Sequence, residues 1–344
     1  MDESSNKAAI SIRFLGFAGT LAVLVLGCLV ACTTPGLSDA KGTLEPSWPV
    51  DDWSPAPPAE LGMDPAVLAG LLADIRTRGI PMHSLLVIRH GRLAFEAYWP
   101  PFTKDQRHTV ESNTKAVVAS LIGIAVDRGM ISGSGATMLD LFPGRLVKGE
   151  EGDTCRITLE HLLTMSSGLD DADFTPGGNG MWAAPSWTRY LLDQTMVDKP
   201  GGAWAYRSGD AHLLAAIIRE VTKQDARAFA NEALFGPLGI PELSQREWPT
   251  DPEGLASGIA GLRLTPRELA RFGYLYLREG NWRGHQVLSQ EWVRRSTTPR
   301  VSIGLDSFAN GQNRAFGYMW SVFPDEGYYA YLGRAGQNLV VCPE

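Results

Sequence analysis

A serine stands three residues before a lysine in Ser112-Asn113-Thr114-Lys115, at the mouth of a run from Ala116 to Val126 that is apolar on nearly every side. Residues three apart share a helix face, and a helix apolar all round is a buried one. The hydroxyl of Ser112 and the amine of Lys115 are therefore expected to meet inside a core. An adjacent base makes an alcohol nucleophilic, and lysine serves as that base when burial or a neighbouring cation favours its neutral form. The spacing alone is a weak signal. It also occurs at Ser4 to Lys7 and Ser38 to Lys41, where no buried helix follows, and a capping serine beside a solvated lysine satisfies the same pattern.

Two later segments strengthen the chemical reading. Tyr206-Arg207-Ser208-Gly209-Asp210 follows the turn Pro200-Gly201-Gly202 and precedes a helical pattern from His212. A phenol beside buried cations can relay a proton or act as the base itself; a packing tyrosine next to an N-cap serine is the structural alternative. Gly333-Arg334-Ala335-Gly336-Gln337 lies between two terminal strand patterns. Its small residues let a strand edge approach a bound substrate closely. The N–H of Ser112, near a helix N-terminus, and the N–H of Gln337 are candidate oxyanion donors.

The elements that must position these groups can be read along the chain. Leu61 to Arg78 has helical spacing. His83 to Ile88 and Leu93 to Trp99 are β-leaning runs joined by His90-Gly91-Arg92, a hairpin signal. Ser112 to Met130 is the buried helix, and Ile157 to Met165, ended by Ser166-Ser167-Gly168, is a short one. Trp187 to Gln194, His212 to Thr222 and Glu291 to Ser296 are further helices. Thr265, Pro266 and Glu268 form a capping-box arrangement at the start of another. Ala315 to Phe323, Tyr328 to Leu332 and Asn338 to Val341 read as strands. Strands at both ends with helices between predict an α+β sandwich, a mainly antiparallel sheet built from N- and C-terminal strands, flanked by helices and carrying a helical insertion.

The 344 residues suffice for one large domain or two modest ones, and 44% hydrophobic with 20% charged residues is ordinary for a globular chain. A net charge of -7 with no basic run makes a poor nucleic-acid binder. The uncharged apolar run Phe14 to Ala31, preceded by Lys7 and Arg13, reads as a secretory leader, with a signal anchor as the alternative. Leu29-Val30-Ala31-Cys32 resembles the bacterial lipobox, so residues 1–31 are expected to be a lipoprotein signal peptide. Cys32 would then be the lipidated residue, and the domain would face the periplasm or the extracytoplasmic side of the cell envelope. Residues 32–60 carry Pro35, Pro46, Pro49, Pro55, Pro57 and Pro58 and read as a tether. Residues 61–344 form the domain. Cys155 and Cys342 lie within it, and no C-x-x-C, H-E-x-x-H or Cys/His cluster suggests a metal. A G-x-S-x-G elbow and an E-x-x-L-N motif are also absent.

In the order S-x-x-K, Y-x-S and a small-residue strand turn, the chain resembles the serine β-lactamase and penicillin-binding-protein family. The likeness points to its class C-related branch, which also holds esterases, D-peptidases and 6-aminohexanoate-dimer hydrolases. The phrases His83 to Gly91, Ile157 to Leu169 and Gly261 to Pro266 carry it further, so that it covers Leu61 to the end. It implies a β-lactamase/DD-peptidase-like fold and a serine hydrolase that acts by an acyl-enzyme on an ester or amide. Ser112 would be acylated, Lys115 and Tyr206 would share the proton work, and Ser112 and Gln337 would form the oxyanion hole. Ser208, Arg334, Ala335 and Gly336 would bind substrate. Neither cofactor nor metal is implied, and the partner is a small-molecule or peptide-like substrate. Arg334 stands where the family has Lys or His and cannot shuttle a proton. Ser208 replaces the commoner Asn, which weakens the grip on a β-lactam or peptide carbonyl. Relatives continue beyond Glu344 through a strand and a helix, so an uncovered sheet face is expected. These departures motivate the alternative of a lipoprotein that binds peptidoglycan-like peptides or β-lactams without turnover. Substrate choice falls to the segments Asp170 to Trp187 and Glu242 to Gly254, whose Trp182, Trp187 and Trp248 could line a cleft.

Overall fold

A computed structural model describes residues 20–26, 47–144, 152–170, 180–306 and 311–343. Twelve strands and nine α-helices are assigned among them. The strands are β1 (Thr20–Leu26), β2 (Met82–Arg89), β3 (Arg92–Tyr98), β4 (His108–Thr109), β5 (Arg263–Leu264), β6 (Asn281–Trp282), β7 (His285–Gln286), β8 (Val301–Asp306), β9 (Gln312–Phe316), β10 (Ser321–Phe323), β11 (Tyr328–Gly333) and β12 (Gln337–Cys342). The helices are α1 (Pro65–Thr77), α2 (Asn113–Asp127), α3 (Met138–Leu141), α4 (Leu159–Leu163), α5 (Trp187–Leu192), α6 (Ser208–Thr222), α7 (Ala226–Ala230), α8 (Pro266–Leu277) and α9 (Gln290–Thr297).

Eight strands form one sheet in the order β3-β2-β1-β12-β11-β10-β9-β8, so N- and C-terminal segments close it as expected. Its pairings are antiparallel except those of β1, which runs parallel to both β2 and β12. β1 comes from the apolar run read as a leader. Seven residues of that run thus occupy the position between the N-terminal hairpin and the last strand; Cys32 lies outside the described residues. Among the described residues, no helix is long and apolar enough to cross a membrane.

Side chains alternate across a strand, and β2 shows what this does here. Leu85 and Val87 join Leu68 and Ile75 of α1 in a small cluster, whereas Leu86 and Ile88 point into the main core with α2, α6 and α8. β12 divides likewise, with Leu339 and Val341 in the main core and Val340 and Cys342 packed against the small cluster. Burial on both faces explains why β2 reads as an unbroken apolar run. The β2–β3 turn uses His90 (φ 49°) and Gly91 (φ 72°). A Cβ at Gly91 would lie 1.7 Å from the Ser47 carbonyl oxygen, so glycine is required there.

The helices also follow their local signals. Thr265 accepts from the N–H of Glu268 while the Glu268 carboxylate accepts from the N–H of Thr265, a complete capping box with Pro266 at the first position. α2 is buried from Asn113 to Ala125. One expectation is corrected: Ala315 to Phe323 is two strands rather than one. Gly317 N–H donates to the Trp320 carbonyl at 2.8 Å and Met319 takes a φ of 60°, so the chain reverses between β9 and β10.

Candidate active site

Ser112 sits just before α2 in helical conformation (φ -68°, ψ -8°), and its hydroxyl makes no capping hydrogen bond. The hydroxyl instead accepts from Lys115 Nζ at 3.1 Å. Lys115 is buried and donates a second time, to the Ile259 carbonyl at 2.7 Å. Its ammonium position lies 5.2 Å from the centroid of the Tyr206 ring. The three predicted catalytic side chains therefore converge.

The chain enters α2 through a pinned turn. Glu111 takes a φ of 48°, which disfavours L-residues. β4 pairs with β5, and Val110 N–H donates to the Leu262 carbonyl at 2.8 Å. Leu262 N–H donates to Thr114 Oγ1 at 3.3 Å. The segment around residues 259–264 thus clamps the nucleophile turn while its Ile259 carbonyl holds the lysine.

Asn113, which sequence reasoning passed over, joins this turn to the last strand. It is fully buried, and its Nδ2 donates to the Gln337 carbonyl at 2.6 Å and to the Val110 carbonyl at 2.8 Å. Gly333 makes room for it: a Cβ there would lie 2.6 Å from the Gln337 oxygen and 3.0 Å from Asn113 Nδ2. Gln337 is thereby fixed beside the residue that follows Ser112. Gly336 is buried, and Ala335 turns the chain with a φ of 57°. Arg334 is exposed in that turn and makes no hydrogen bond, ion pair or ring contact among the described residues.

Tyr206 is positioned by its neighbours in sequence. The buried Arg207 guanidinium donates to the Leu169 carbonyl at 2.9 Å and the Met165 carbonyl at 3.2 Å. Ser167 Oγ donates to Asp210 Oδ1 at 2.7 Å. Ser208, buried, opens α6. The Ser166-Ser167-Gly168-Leu169 loop is therefore the bracket for the tyrosine segment. The Tyr206 residue is 48% exposed, yet its hydroxyl faces the site. Burial around the phenol favours its neutral form, but the charge of Lys115 and hydrogen bonding from Ser112, Lys115 and Tyr331 outweigh this and hold it below its ordinary value. Tyr331, buried on β11 behind it, is pushed well above its ordinary value by burial and by the neighbouring phenol.

A cation does stand behind this tyrosine pair, but it is Arg314. That guanidinium is buried, pairs with Asp306 at 2.7 Å and stacks 5.4 Å from the centroid of Trp204, whose ring neighbours Tyr206. It attracts the phenolate forms of Tyr206 and Tyr331. The sequence carries no local cue that this arginine is buried. Of the aromatic residues expected to line a cleft, Trp248 is fully buried, Trp187 nearly so, and Trp182 is 37% exposed with its ring edge-on to Trp187. Among the described residues no group of His, Cys, Asp and Glu could hold a metal ion.

The profile of the Beta-lactamase family ("Beta-lactamase") matches residues 66–344. The chain is 25% identical over 320 residues to the 6-aminohexanoate-dimer hydrolase of Paenarthrobacter ureafaciens, covering 88% of this chain and 80% of that one. In fold it is similar to the octameric penicillin-binding protein homologue from Pyrococcus abyssi, with a TM-score of 0.62 and 20% identity over 80% of this chain and 69% of that one. A D-stereospecific amidohydrolase from Streptomyces sp. superposes with a TM-score of 0.51 at 18% identity, over 71% of this chain and 83% of that one.

Proposed function

We propose, from the premise that the chain belongs to the beta-lactamase family, that it is a serine hydrolase forming an acyl-enzyme at Ser112 on an ester or amide substrate. The observation that carries this is the 3.1 Å contact from Lys115 Nζ to a serine hydroxyl left free of capping duty. In the acylation step Ser112 Oγ attacks the carbonyl carbon, and its proton passes to Lys115 or to the phenolate of Tyr206. The carbonyl oxygen becomes an oxyanion, stabilised by the N–H groups of Ser112 and Gln337. Collapse expels the alcohol or amine, which takes back the proton. Water then attacks the ester at Ser112, and the same groups return the proton in reverse order. Tyr206, half-exposed and with its acidity raised, is suited to meet the leaving group.

Arg334, exposed beside the Ala335–Gly336 turn, is free to face an anionic group on the substrate. The names of the relatives, 6-aminohexanoate-dimer hydrolase and D-stereospecific amidohydrolase, support an amide substrate. Turnover of p-nitrophenyl esters by the wild type, with its loss in Ser112→Ala, tests the assignment; covalent labelling without turnover would instead fit a binder.

The proposal extends to a lipid-anchored enzyme of the bacterial cell envelope, held through Cys32 after cleavage of residues 1–31. Its support is Leu29-Val30-Ala31-Cys32 at the end of the apolar run. Such cleavage would remove β1 from the sheet. Intact mass of the membrane fraction, with Cys32→Ser as control, decides between a lipidated mature N-terminus and a retained leader.

A further inference from the structure

Lys115 is aimed by the Ile259 carbonyl, so whatever holds residues 251–259 sets the position of that amine beside Ser112. Two groups buried away from the nucleophile do this. His212, on α6 one turn beyond Ser208, and Asp251 are both fully buried, with Nε2 and Oδ2 3.3 Å apart. Gly258 N–H donates to the other imidazole nitrogen, Nδ1, at 3.4 Å. Nδ1 is therefore the acceptor and Nε2 carries the proton, at ion-pair distance from the carboxylate though not aligned for a hydrogen bond. Asp251 is held in turn, since its Oδ1 accepts from the N–H groups of Glu253 and Leu255 at 2.9 Å each. Burial raises its carboxyl, but the His212 imidazole and the N–H groups of Leu255 and Glu253 outweigh this and keep it below its ordinary value.

The fit around Gly258 is close. A Cβ there would lie 2.2 Å from the Ala211 carbonyl oxygen, so the loop lies directly on α6. Trp248 Nε1 donates to the Ser257 carbonyl at 2.9 Å, and Ile259 N–H donates to Ser257 Oγ at 3.3 Å. From His212 to Lys115 the path is continuous: imidazole, Gly258 amide, Ile259 carbonyl, ammonium.

We infer that His212 and Asp251 form a positioning pair for Lys115: the carboxylate fixes the imidazole tautomer, the imidazole holds the Gly258 amide, and the Ile259 carbonyl is thereby aimed at the lysine. This rests on Lys115 serving the acylation of Ser112. Neither residue touches substrate, so the pair governs turnover rather than binding.

Asp251→Asn tests it with no change of volume. Oδ1 can keep its two N–H partners, while the new amide nitrogen faces Nε2 and favours the tautomer with the proton on Nδ1, which cannot accept from Gly258. The expected result is a fall in kcat for p-nitrophenyl ester hydrolysis of about ten- to hundredfold, as for a displaced catalytic group, with KM within about twofold. His212→Asn, whose side-chain oxygen can take the place of Nδ1 as acceptor, should recover most of kcat relative to His212→Leu. Asp251→Asn should then cost little in the His212→Asn background. Equal kcat in wild type and Asp251→Asn, or equal losses in His212→Asn and His212→Leu, overturns the inference. Should the variants not fold, the long-range 1H–15N spectrum of the wild-type imidazole decides: the Nε2–H tautomer is expected, and the Nδ1–H tautomer or a doubly protonated ring overturns it. Retained turnover in Ser112→Ala would refute the acyl-enzyme reading itself; a dead Ser112→Ala beside an unaffected Asp251→Asn would refute the positioning pair alone.

Discussion

Removing the Asn113 amide should both loosen the fold and uncouple the nucleophile from the last strand. Its Nδ2 holds the carbonyls of Gln337 and Val110 at 2.6 and 2.8 Å. Val110 keeps the backbone N–H of Asn113 at 3.1 Å, so in Asn113→Ala the loss falls on Gln337. One hydrogen bond lost from a buried carbonyl costs about 0.5–1.5 kcal/mol net. At about 2–4 °C per kcal/mol for a large domain, the melting temperature should fall by about 1–6 °C. Gln337 then loses its tie beside Ser112, and kcat for a nitrophenyl ester should fall about ten- to hundredfold. Asn113→Asp sharpens the test, because it keeps the volume but turns a donor into a charged acceptor facing two carbonyls. It should be less stable than Asn113→Ala. Thermal melts and initial rates on the three proteins suffice. If Asn113→Asp is as stable as Asn113→Ala, or if Asn113→Ala keeps wild-type kcat, the amide is not what couples α2 to β12.

Tyr206→Phe should lower kcat about 10²–10⁴-fold, the usual range for a positioned acid–base group. In the wild type the limb of kcat/KM that rises with pH should lie below the ordinary tyrosine value, since the phenol is held down by Lys115 despite its burial. Arg314→Gln removes a cation that attracts the phenolate, so that limb should move to higher pH; an unmoved limb would remove Arg314 from the site's electrostatics. Gly123→Ala places a Cβ 2.5 Å from the Trp292 ring. It should cost about 1–3 kcal/mol of stability by overpacking while leaving kcat and KM unchanged, because Ser112 lies about three helical turns away. Cys342, whose thiol is pushed up to about 11 by burial, should resist iodoacetamide at pH 8 in peptide mapping; rapid labelling would contradict its packing between β12 and α1.

Local chemistry was legible in the sequence wherever the signal was itself local. The capping box at Thr265, the turn at His90-Gly91 and the buried face of α2 all appear where residue types and spacing placed them. So does the meeting of Ser112 and Lys115, which needs only one helical turn. Contacts between distant segments were not legible. Asn113 and Gln337 are 224 positions apart, and Lys115 and Ile259 are 144 apart. His212 and Asp251 read as scattered residues because nothing in their own neighbourhoods distinguishes a buried pair from surface groups. Arg334 drew attention by its place in a motif, yet the buried cation behind Tyr206 is Arg314, on a strand whose break after Phe316 was itself missed. The apolar stretch Thr20–Leu26 satisfies two demands at once: a leader and an inner strand of a sheet share the same composition.

Mass analysis of the protein quenched during turnover of a nitrophenyl ester tests the central claim most directly. The account predicts the acyl group on the peptide that contains Ser112, and none on that peptide in Ser112→Ala. Turnover with no covalent adduct, or an adduct on another residue, would contradict it.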